Sequence, residues 1–291
     1  MSAKAALTIG QARRALAQNL AEAGIESADA DARILVSHAL GLDRTTLMTK
    51  SEHVLSTDER KAIDMLAGRR LDREPVSRIV GVREFWSLPL EVNAAVLVPR
   101  PETETVVELA LDLIDRDGSR ANSLRILDIG TGSGAIALAL LTELPNASAT
   151  LTDISEAALA VARANAETHG LAPRCGFVIC DIAEGIDGPF DLIVSNPPYI
   201  AHADIAALEP EVRDHDPRLA LDGGIDGLDA YRAVARYARR LLAPGGRSIV
   251  ELGFGQEAAV SALFNETGLT VTETRADLAG IPRALAAQNN R

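Results

Sequence analysis

The feature that most constrains the fold is an alternation of strand-like and helix-like segments that begins near Leu124. Short runs of β-branched and other apolar residues are separated there by longer segments whose apolar residues follow helical spacing. The pattern predicts strands at 124–129, 148–153, 175–180, 190–195, 246–252, 269–275 and 283–287, and helices at about 134–144, 155–169, 226–242 and 255–267. Such alternation predicts an α/β fold with a mostly parallel, doubly wound sheet of seven strands, which binds ligands at the carboxyl ends of its strands.

The first part of the chain has a different pattern, in which apolar residues follow helical spacing throughout. Ser56 with Glu59 three residues later is typical of a capping box at a helix start. A small domain of three helices is therefore predicted at 1–74. Residues 75–100 alternate around prolines and predict a connecting β-hairpin, which leaves 101–291 as the main domain.

Charge is distributed unevenly along the chain. Residues 1–74 carry 11 basic and 11 acidic side chains, whereas the remainder carries 18 arginines against 30 acidic residues and gives the chain its net charge of −12. Affinity for nucleic acid depends mainly on basic side chains that neutralise phosphates. We therefore expect no direct contact with nucleic acid, although this charge distribution leaves room for a local arginine patch.

Several classes of protein are disfavoured by the sequence. Its apolar runs are shorter than a membrane span, and its first residues contain no signal-peptide segment. Cys175 and Cys180 lie five residues apart in one apolar segment, which suits neither a disulfide framework nor a zinc site, and the histidines form no metal-like cluster. We expect a cytoplasmic protein that binds no membrane and no metal.

A glycine-rich segment follows the first predicted strand of the main domain and opens the next helix. Its predicted cofactor-binding residues are Asp128, Gly130, Thr131, Gly132, Ser133 and Gly134. Glycines there allow a tight turn and a close approach of the backbone to a ligand, as in dinucleotide enzymes. Two details favour S-adenosylmethionine instead. The spacing is Gly-x-Gly-x-Gly, and the preceding acid, Asp128, is better tolerated beside a cationic sulfonium ligand than beside a pyrophosphate.

Acidic residues also end the next two predicted strands. Asp153 stands where a carboxylate can accept hydrogen bonds from both ribose hydroxyls of this cofactor, and it could also cap the helix that starts at Ser155. Asp181 could accept from the adenine amino group or serve as a turn residue.

The segment Asn196-Pro197-Pro198-Tyr199 follows the fourth predicted strand. A proline-rich turn at a strand end is common, but prolines lack N–H groups, so this stiff segment offers carbonyl acceptors without neighbouring donors. With the side-chain oxygen of Asn196, it can hold both hydrogens of a planar amino group and direct its weak lone pair toward a methyl donor. Tyr199 can pack against the flat group. We predict these four residues to be catalytic, with adenine N6, a guanine or cytosine amino group, or a glutamine amide as substrate.

Three further segments, at 81–88, 98–104 and 216–224, resemble the release-factor glutamine methyltransferases, the PrmC/HemK family, and the likeness covers essentially the whole chain. The resemblance implies a Rossmann-like methyltransferase sheet. It implies transfer of a methyl group from S-adenosylmethionine, which leaves S-adenosylhomocysteine, to the glutamine of the Gly-Gly-Gln motif in class I peptide chain release factors. It also implies that the helical domain recognises this protein substrate and that the enzyme is a monomer.

The resemblance further implies roles for single residues. Cofactor contacts are expected at 130–134, at Asp153 and just after the third strand, where Ile182 stands in place of an aromatic residue that some members carry beside the adenine. Asn196 is expected to contact cofactor and substrate. Phe85, Trp86 and Arg100 are expected in the wall around the substrate glutamine, although packing of the hairpin onto the sheet would explain the two aromatic residues equally well.

Three rival interpretations remain. A glutamine methyltransferase acting on a ribosomal protein would share Asn-Pro-Pro-Tyr, although the pattern at 32–35 looks more like the release-factor enzyme. An adenine N6 methylase needs a basic target-recognition region, which neither the neutral first 74 residues nor the acidic remainder supplies. An inactive cofactor-binding scaffold is disfavoured because Asn196 and the loop glycines are all present.

Overall fold

The computed structural model describes residues 7–290, which divide into two compact units, one ending at Gly81 and the other beginning at Val82. Each unit has its own buried apolar core. Within the described range, no helix combines the length and the apolar character that a membrane span requires.

The first unit is helical. Its helices are α1 (Ile9–Glu22), α2 (Ala28–Leu40), α3 (Arg44–Thr49), α4 (Thr57–Leu71) and α5 (Val76–Val80). The capping box predicted at Ser56 is confirmed, because its hydroxyl accepts from the Glu59 backbone N–H while Glu59 Oε2 accepts from the Ser56 N–H at 2.7 Å. The sequence pattern predicted three helices. It missed α3 and α5 because five or six residues are too few for a recognisable periodicity.

A hairpin opens the second unit. Strands β1 (Val82–Phe85) and β2 (Leu88–Glu91) are antiparallel, and Trp86 and Ser87 turn the chain with φ angles of 51° and 60°. Two central residues with positive φ suit the right-handed twist of paired strands. The hairpin is shorter than the predicted segment 75–100, because Pro75 precedes the helical turn α5 and the residues after β2 form no regular strand.

A seven-stranded sheet forms the body of this unit. Its strands are β3 (Arg125–Ile129), β4 (Ser148–Asp153), β5 (Cys175–Ile179), β6 (Phe190–Ser195), β7 (Leu242–Glu251), β8 (Thr270–Ala276) and β9 (Pro282–Gln288). They lie in the order β5-β4-β3-β6-β7-β9-β8, with β9 antiparallel to both neighbours and the other pairs parallel. The predicted, mostly parallel sheet is confirmed.

Helices cover both faces of the sheet. They are α6 (Glu104–Arg116), α7 (Ala135–Glu143), α8 (Glu156–Thr168), α10 (Asp229–Leu241) and α11 (Glu257–Glu266), whereas the short α9 (Pro210–Arg213) has no buried residue. Successive strand residues point to opposite faces. Ile126 and Leu192 therefore join one core with residues of α6 and α7, whereas Leu127 and Ile193 join another with residues of α10 and α11. This is the doubly wound arrangement that the sequence predicted.

The direction of winding reverses between β3 and β6, which are neighbours in the sheet. Ile129 pairs in register with Ser195, so the two strands end at the same edge. The glycine-rich segment after β3 and the Asn-Pro-Pro-Tyr segment after β6 therefore begin side by side. Open α/β sheets bind their ligands at such a point.

Candidate active site

A cavity of about 290 Å³ lies where these two segments begin. Its lining includes most of the predicted cofactor residues and two of the catalytic ones, namely Gly130, Thr131, Gly132, Ser133, Asp153, Asp181, Ile182, Asn196 and Pro198. Seven other predicted site residues are not part of the lining, namely Asp128, Gly134, Pro197, Tyr199, Phe85, Trp86 and Arg100. The fold thus brings both sequence motifs to one cavity, although not every side chain in them faces it.

The glycine-rich segment has a backbone that depends on its glycines. Gly132 has a φ of 55°, in the left-handed region that other residues rarely adopt. A Cβ on Gly134 would lie 3.2 Å from Leu138 and 3.4 Å from Ala162, so close packing leaves little room for a side chain there. These constraints hold the backbone of the segment at the cavity.

Asp128 anchors this segment from inside. The residue is 1% exposed, and its Oδ2 accepts from the Thr131 hydroxyl at 2.6 Å and from the Ala137 N–H at 3.3 Å. Burial raises the pKa of Asp128 to about 7, although both hydrogen bonds act to lower it. Its other oxygen, Oδ1, has no hydrogen-bond partner among the described residues. The carboxyl group therefore supports the loop rather than lining the cavity.

Asp153 connects two elements at the cavity. Its Oδ2 accepts from the Gly132 N–H at 3.0 Å and its Oδ1 from the Ser155 N–H at 2.9 Å. The cap of α8 is Ser155, whose side chain accepts from the Ala158 N–H, so Asp153 is not the helix cap. Its carboxylate remains on the cavity wall.

The turn after β5 brings two more predicted residues to the wall, Asp181 and Ile182. Ile182 has a φ of 54°, an outlier for a β-branched side chain. Its carbonyl accepts from the Thr152 hydroxyl at 2.8 Å, which ties the turn to β4. Strained backbone of this kind concentrates at functional sites, where the surrounding structure holds it in place.

The Asn-Pro-Pro-Tyr segment is held at both ends by side-chain hydrogen bonds. Asn196 Nδ2 donates to Thr103 Oγ1 at 3.3 Å, and the Tyr199 hydroxyl donates to Glu251 Oε1 at 3.2 Å. Burial and the nearby Glu251 charge raise the pKa of Tyr199. The carbonyl of Tyr199 accepts from Gln256 Nε2 at 2.9 Å. The Tyr199 hydroxyl is therefore already hydrogen-bonded within the protein.

Two residues of this site, Thr103 and Glu251, were missed by the sequence reasoning. Thr103 lines the cavity, and Glu251 ends β7 with 1% of its surface exposed. Burial raises the pKa of Glu251 to about 7, opposed by hydrogen bonds from Thr103 and Tyr199. A single acid at the end of an apolar strand, as in Ile-Val-Glu-Leu, is the sequence signal that could have indicated Glu251.

The residues predicted to wall the substrate have other positions. Phe85 is buried in the core that includes residues of α6 and α7, because it is an inward-facing residue of the hairpin. Arg100 pairs with Asp216 at 2.8 Å, and the Asp216 side chain is fully buried. The segment that follows Asp216 contributes Pro217, Leu219 and Ala220 to the cavity wall. Arg100 therefore supports the wall from outside the lining.

Among residues 7–290, no group of three or more His, Cys, Asp or Glu side chains is arranged to hold a metal ion.

Two protein families match the chain. The family described as PrmC N-terminal domain matches residues 11–81, and the methyltransferase small domain matches residues 108–224. The release factor glutamine methyltransferase of Bradyrhizobium diazoefficiens is 53% identical over 97% of this chain and 95% of its own length. The protein of the same name from Rhodospirillum rubrum is 46% identical over 98% of this chain and 86% of its own length.

Solved structures share the fold of the second unit. The catalytic domain of hMettl16, in complex with MAT2A 3'UTR hairpin 6, has a TM-score of 0.58 at 19% identity, covering 73% of this chain and 80% of that one. The ribosomal protein L11 methylase of Lactobacillus delbrueckii subsp. bulgaricus has a TM-score of 0.50 at 19% identity, covering 69% and 86%. At these identities the likeness concerns the fold alone. The two relatives matched over nearly their full length settle the family, and this chain is a methyltransferase that belongs to the release factor glutamine methyltransferases.

Proposed function

We propose that this chain transfers the methyl group of S-adenosylmethionine to the side-chain amide nitrogen of the glutamine in the Gly-Gly-Gln motif of class I peptide chain release factors. The observation that carries this proposal is the position of Asn196 on the wall of the cavity that the glycine-rich segment also lines. The names of the relatives support the protein substrate. Release factors end translation, so the reaction is a cytoplasmic one.

The residues around the cavity fit S-adenosylmethionine better than a dinucleotide. Among residues 7–290, the lining contains two carboxylates, Asp153 and Asp181, and no Lys, Arg or His side chain. A pyrophosphate would meet uncompensated negative charge there, whereas a sulfonium and an ammonium group are cationic. The two carboxylates of the lining therefore match a cationic ligand with hydroxyl groups.

Each of these residues has a part in binding. The backbone of residues 130–133, which line the cavity, would approach the ligand closely, Asp153 would accept from the ribose hydroxyls, and Asp181 would accept from the adenine amino group. Ile182 covers one face of the adenine with an aliphatic side chain. When bound, the cofactor would supply an electrophilic methyl group. The other residues of the site would position the substrate nitrogen.

An amide nitrogen is a weak nucleophile because its lone pair is delocalised into the carbonyl. Asn196 Oδ1, on the cavity wall, and the Pro197 carbonyl would accept the two amide hydrogens and hold the nitrogen in position for the displacement. Positioning of this kind converts an encounter into a directed displacement, which is the main help a protein can give here. The methylated nitrogen then loses one proton to water, so no side chain is needed as a base.

The helical unit is assigned to recognition of the protein substrate. It matches the family's N-terminal domain. A separate helical domain is suited to adding contact area with a folded partner.

The direct test is mass spectrometry of a class I release factor after incubation with this chain and S-adenosylmethionine. We expect one added methyl group, located by peptide fragmentation on the glutamine of Gly-Gly-Gln. A release factor with that glutamine replaced by asparagine is the matched control and should stay unmodified. Methylation of a ribosomal protein or of nucleic acid, with the release factor unmodified, would show that the substrate assignment is wrong.

A further inference from the structure

The side chain of Asn196 has two ends with opposite hydrogen-bonding character. Its Nδ2 group donates to Thr103 Oγ1 at 3.3 Å. The proposed reaction needs the other end, Oδ1, toward the substrate, because only an oxygen can accept an amide hydrogen. A half-turn about the last side-chain bond would exchange the two ends. The Nδ2 group of Asn196, a donor, would then face the substrate amide N–H, which is also a donor. Something must therefore fix which end faces Thr103.

Thr103 can select the nitrogen end of Asn196 only if its own hydroxyl hydrogen is used in a hydrogen bond to another group. A hydroxyl donates one hydrogen and accepts through its lone pairs. The ionised carboxylate of Glu251 can only accept, and Thr103 is one of the groups that lower its pKa. If the Thr103 hydrogen is directed to Glu251, a lone pair remains for Asn196 Nδ2, whose distance to Thr103 Oγ1 is 3.3 Å.

Glu251 also holds the far end of the same segment. Its Oε1 accepts from the Tyr199 hydroxyl, and its backbone carbonyl accepts from the buried Tyr231 hydroxyl at 2.8 Å. The sheet fixes its position as the last residue of β7. Burying a carboxylate is costly, and its Oε2 has no hydrogen-bond partner among the described residues. This cost argues for a role beyond packing.

We propose that Glu251 and Thr103 are positioning residues that orient the Asn196 side chain, so that its oxygen faces the substrate amide. This role rests on the proposed function. Neither residue exchanges a proton with the substrate. Glu251 orients the Thr103 hydroxyl, and this hydroxyl orients the side-chain amide of Asn196.

The charge of Glu251 gives this arrangement a pH dependence. The groups that act on its carboxyl are Thr103, Tyr199, Arg283 and Glu102, and burial among them raises the pKa to about 7. Protonated Glu251 no longer requires the Thr103 hydrogen, which can then turn toward Asn196 and attract its oxygen end. Methyl transfer is therefore expected to slow as the pH falls through about 7.

The test uses Thr103→Val, which removes the hydroxyl and keeps the side-chain shape. Single-turnover transfer to the release factor should slow roughly five- to tenfold, the factor that corresponds to one ordinary hydrogen bond. The affinities for S-adenosylmethionine and release factor should stay unchanged, and Thr103→Ser should restore the rate. Thr105→Val, at another buried threonine two residues along, is the matched control and should transfer at the wild-type rate.

Glu251→Gln supplies a readout that a purely structural role would not change. The wild-type rate should rise between about pH 6 and pH 8, and the variant should lack this rise. A Thr103→Val enzyme as fast as wild type, or a pH profile unaltered by Glu251→Gln, would overturn the positioning role. A wild-type enzyme that leaves the release factor unmethylated would instead refute the proposed function.

A second cavity, of about 310 Å³, lies in the helical unit and supports an independent proposal. Four arginines from three helices line it, namely Arg13, Arg14, Arg33 and Arg44. Within residues 7–290, only Arg13 of these four forms an ion pair, with Asp29 at 3.0 Å. Clustered guanidinium groups repel one another unless an anion lies among them. In a chain of net charge −12, this concentration of positive charge is unexpected.

We further propose that this cavity binds an acidic segment of the release factor, an extension that also rests on the proposed function. Guanidinium groups hold carboxylates through paired hydrogen bonds. Met48, which also lines the cavity, is 70% exposed and offers an apolar contact beside the charges. The arginines fit acidic side chains of a ligand, and Met48 fits an apolar one. A protein segment offers both kinds of side chain, whereas a nucleic-acid backbone does not.

The test is the double variant Arg14→Glu/Arg33→Glu, assayed on intact release factor. KM for the release factor should rise roughly tenfold or more and depend less on salt, while kcat and cofactor affinity stay unchanged. Lys61→Glu, an exposed change in the same unit, should leave KM near the wild-type value. An unchanged KM in the double variant, or a loss of kcat alone, would exclude the site. Loss of affinity for RNA without loss for release factor would assign it to nucleic acid.

Discussion

The backbone N–H of Gly132 donates to Asp153 Oδ2 at 3.0 Å, which joins the glycine-rich loop after β3 to the end of β4. The second oxygen of the same carboxylate accepts from the Ser155 N–H at 2.9 Å. Each carboxylate oxygen can accept a second hydrogen bond. Asp153 is therefore fixed before a ligand arrives and can accept two ribose hydroxyls without reorienting.

Asp153→Ala should weaken the binding of S-adenosylmethionine by roughly 1.5–3 kcal/mol, which is the usual contribution of hydrogen bonds to a charged group. Isothermal titration calorimetry measures this directly. Asp187→Ala, an exposed acid outside the cavity lining, is the matched control for the lost charge. Unchanged affinity in Asp153→Ala would show that the ribose assignment is wrong.

The buried carboxyl of Asp128 should make stability depend on pH. Its folded-state pKa is raised to about 7, whereas the unfolded chain has the ordinary value of 3.8. The folded state therefore holds a proton that the unfolded state has lost, and this contribution to stability declines as the pH rises from about 4 to about 7.

The Asp128→Asn variant has no carboxyl group at this position and therefore does not titrate there. The free energy of unfolding of the wild type, relative to this variant, should fall by at most about 4 kcal/mol between pH 4 and pH 7.5. Urea titrations of both proteins without cofactor at several pH values provide the measurement. A constant difference between the two proteins would mean that Asp128 is already ionised in the folded state at low pH.

The ion pair between Arg100 and Asp216 should contribute more than an exposed one. Arg100→Met leaves a fully buried carboxylate without this partner and should lower the free energy of unfolding by roughly 1–3 kcal/mol. It should also weaken cofactor binding, because the segment after Asp216 lines the cavity. Arg232→Met, which removes an exposed pair with Asp226, should change stability by less than about 1 kcal/mol. Equal losses in the two variants would contradict this ranking.

The sequence was sufficient for the features that depend on local pattern. Strand–helix alternation predicted the sheet, and the contiguous glycine and Asn-Pro-Pro-Tyr segments predicted one part of the cavity wall. Thr103 was missed because it is 93 residues from Asn196, and Tyr199 is 52 residues from Glu251. Such partnerships follow from strand order, which no local pattern contains. The same reason explains Phe85, whose aromatic character suggested a site wall but whose position in the hairpin buries it.

The most direct prediction about the chemistry concerns Asn196. If its oxygen and the Pro197 carbonyl hold the substrate amide, Asn196→Ala should reduce single-turnover methyl transfer by roughly 10²–10³, as expected when one preorganised polar group is removed from an active site. Affinity for S-adenosylmethionine should remain nearly unchanged, because the other polar groups of the cavity stay in place. Rapid-quench methyl transfer and calorimetry measure the two quantities separately.

Asn196→Asp distinguishes the oxygen of the side chain from its nitrogen. It retains an acceptor for the substrate but lacks the group that donates to Thr103, and it adds a negative charge near the buried Glu251. We expect it to transfer as poorly as Asn196→Ala, because neither variant keeps the oriented amide. Near wild-type transfer by Asn196→Asp would mean that an acceptor alone is enough. Loss of cofactor affinity in either variant would make Asn196 a binding residue instead.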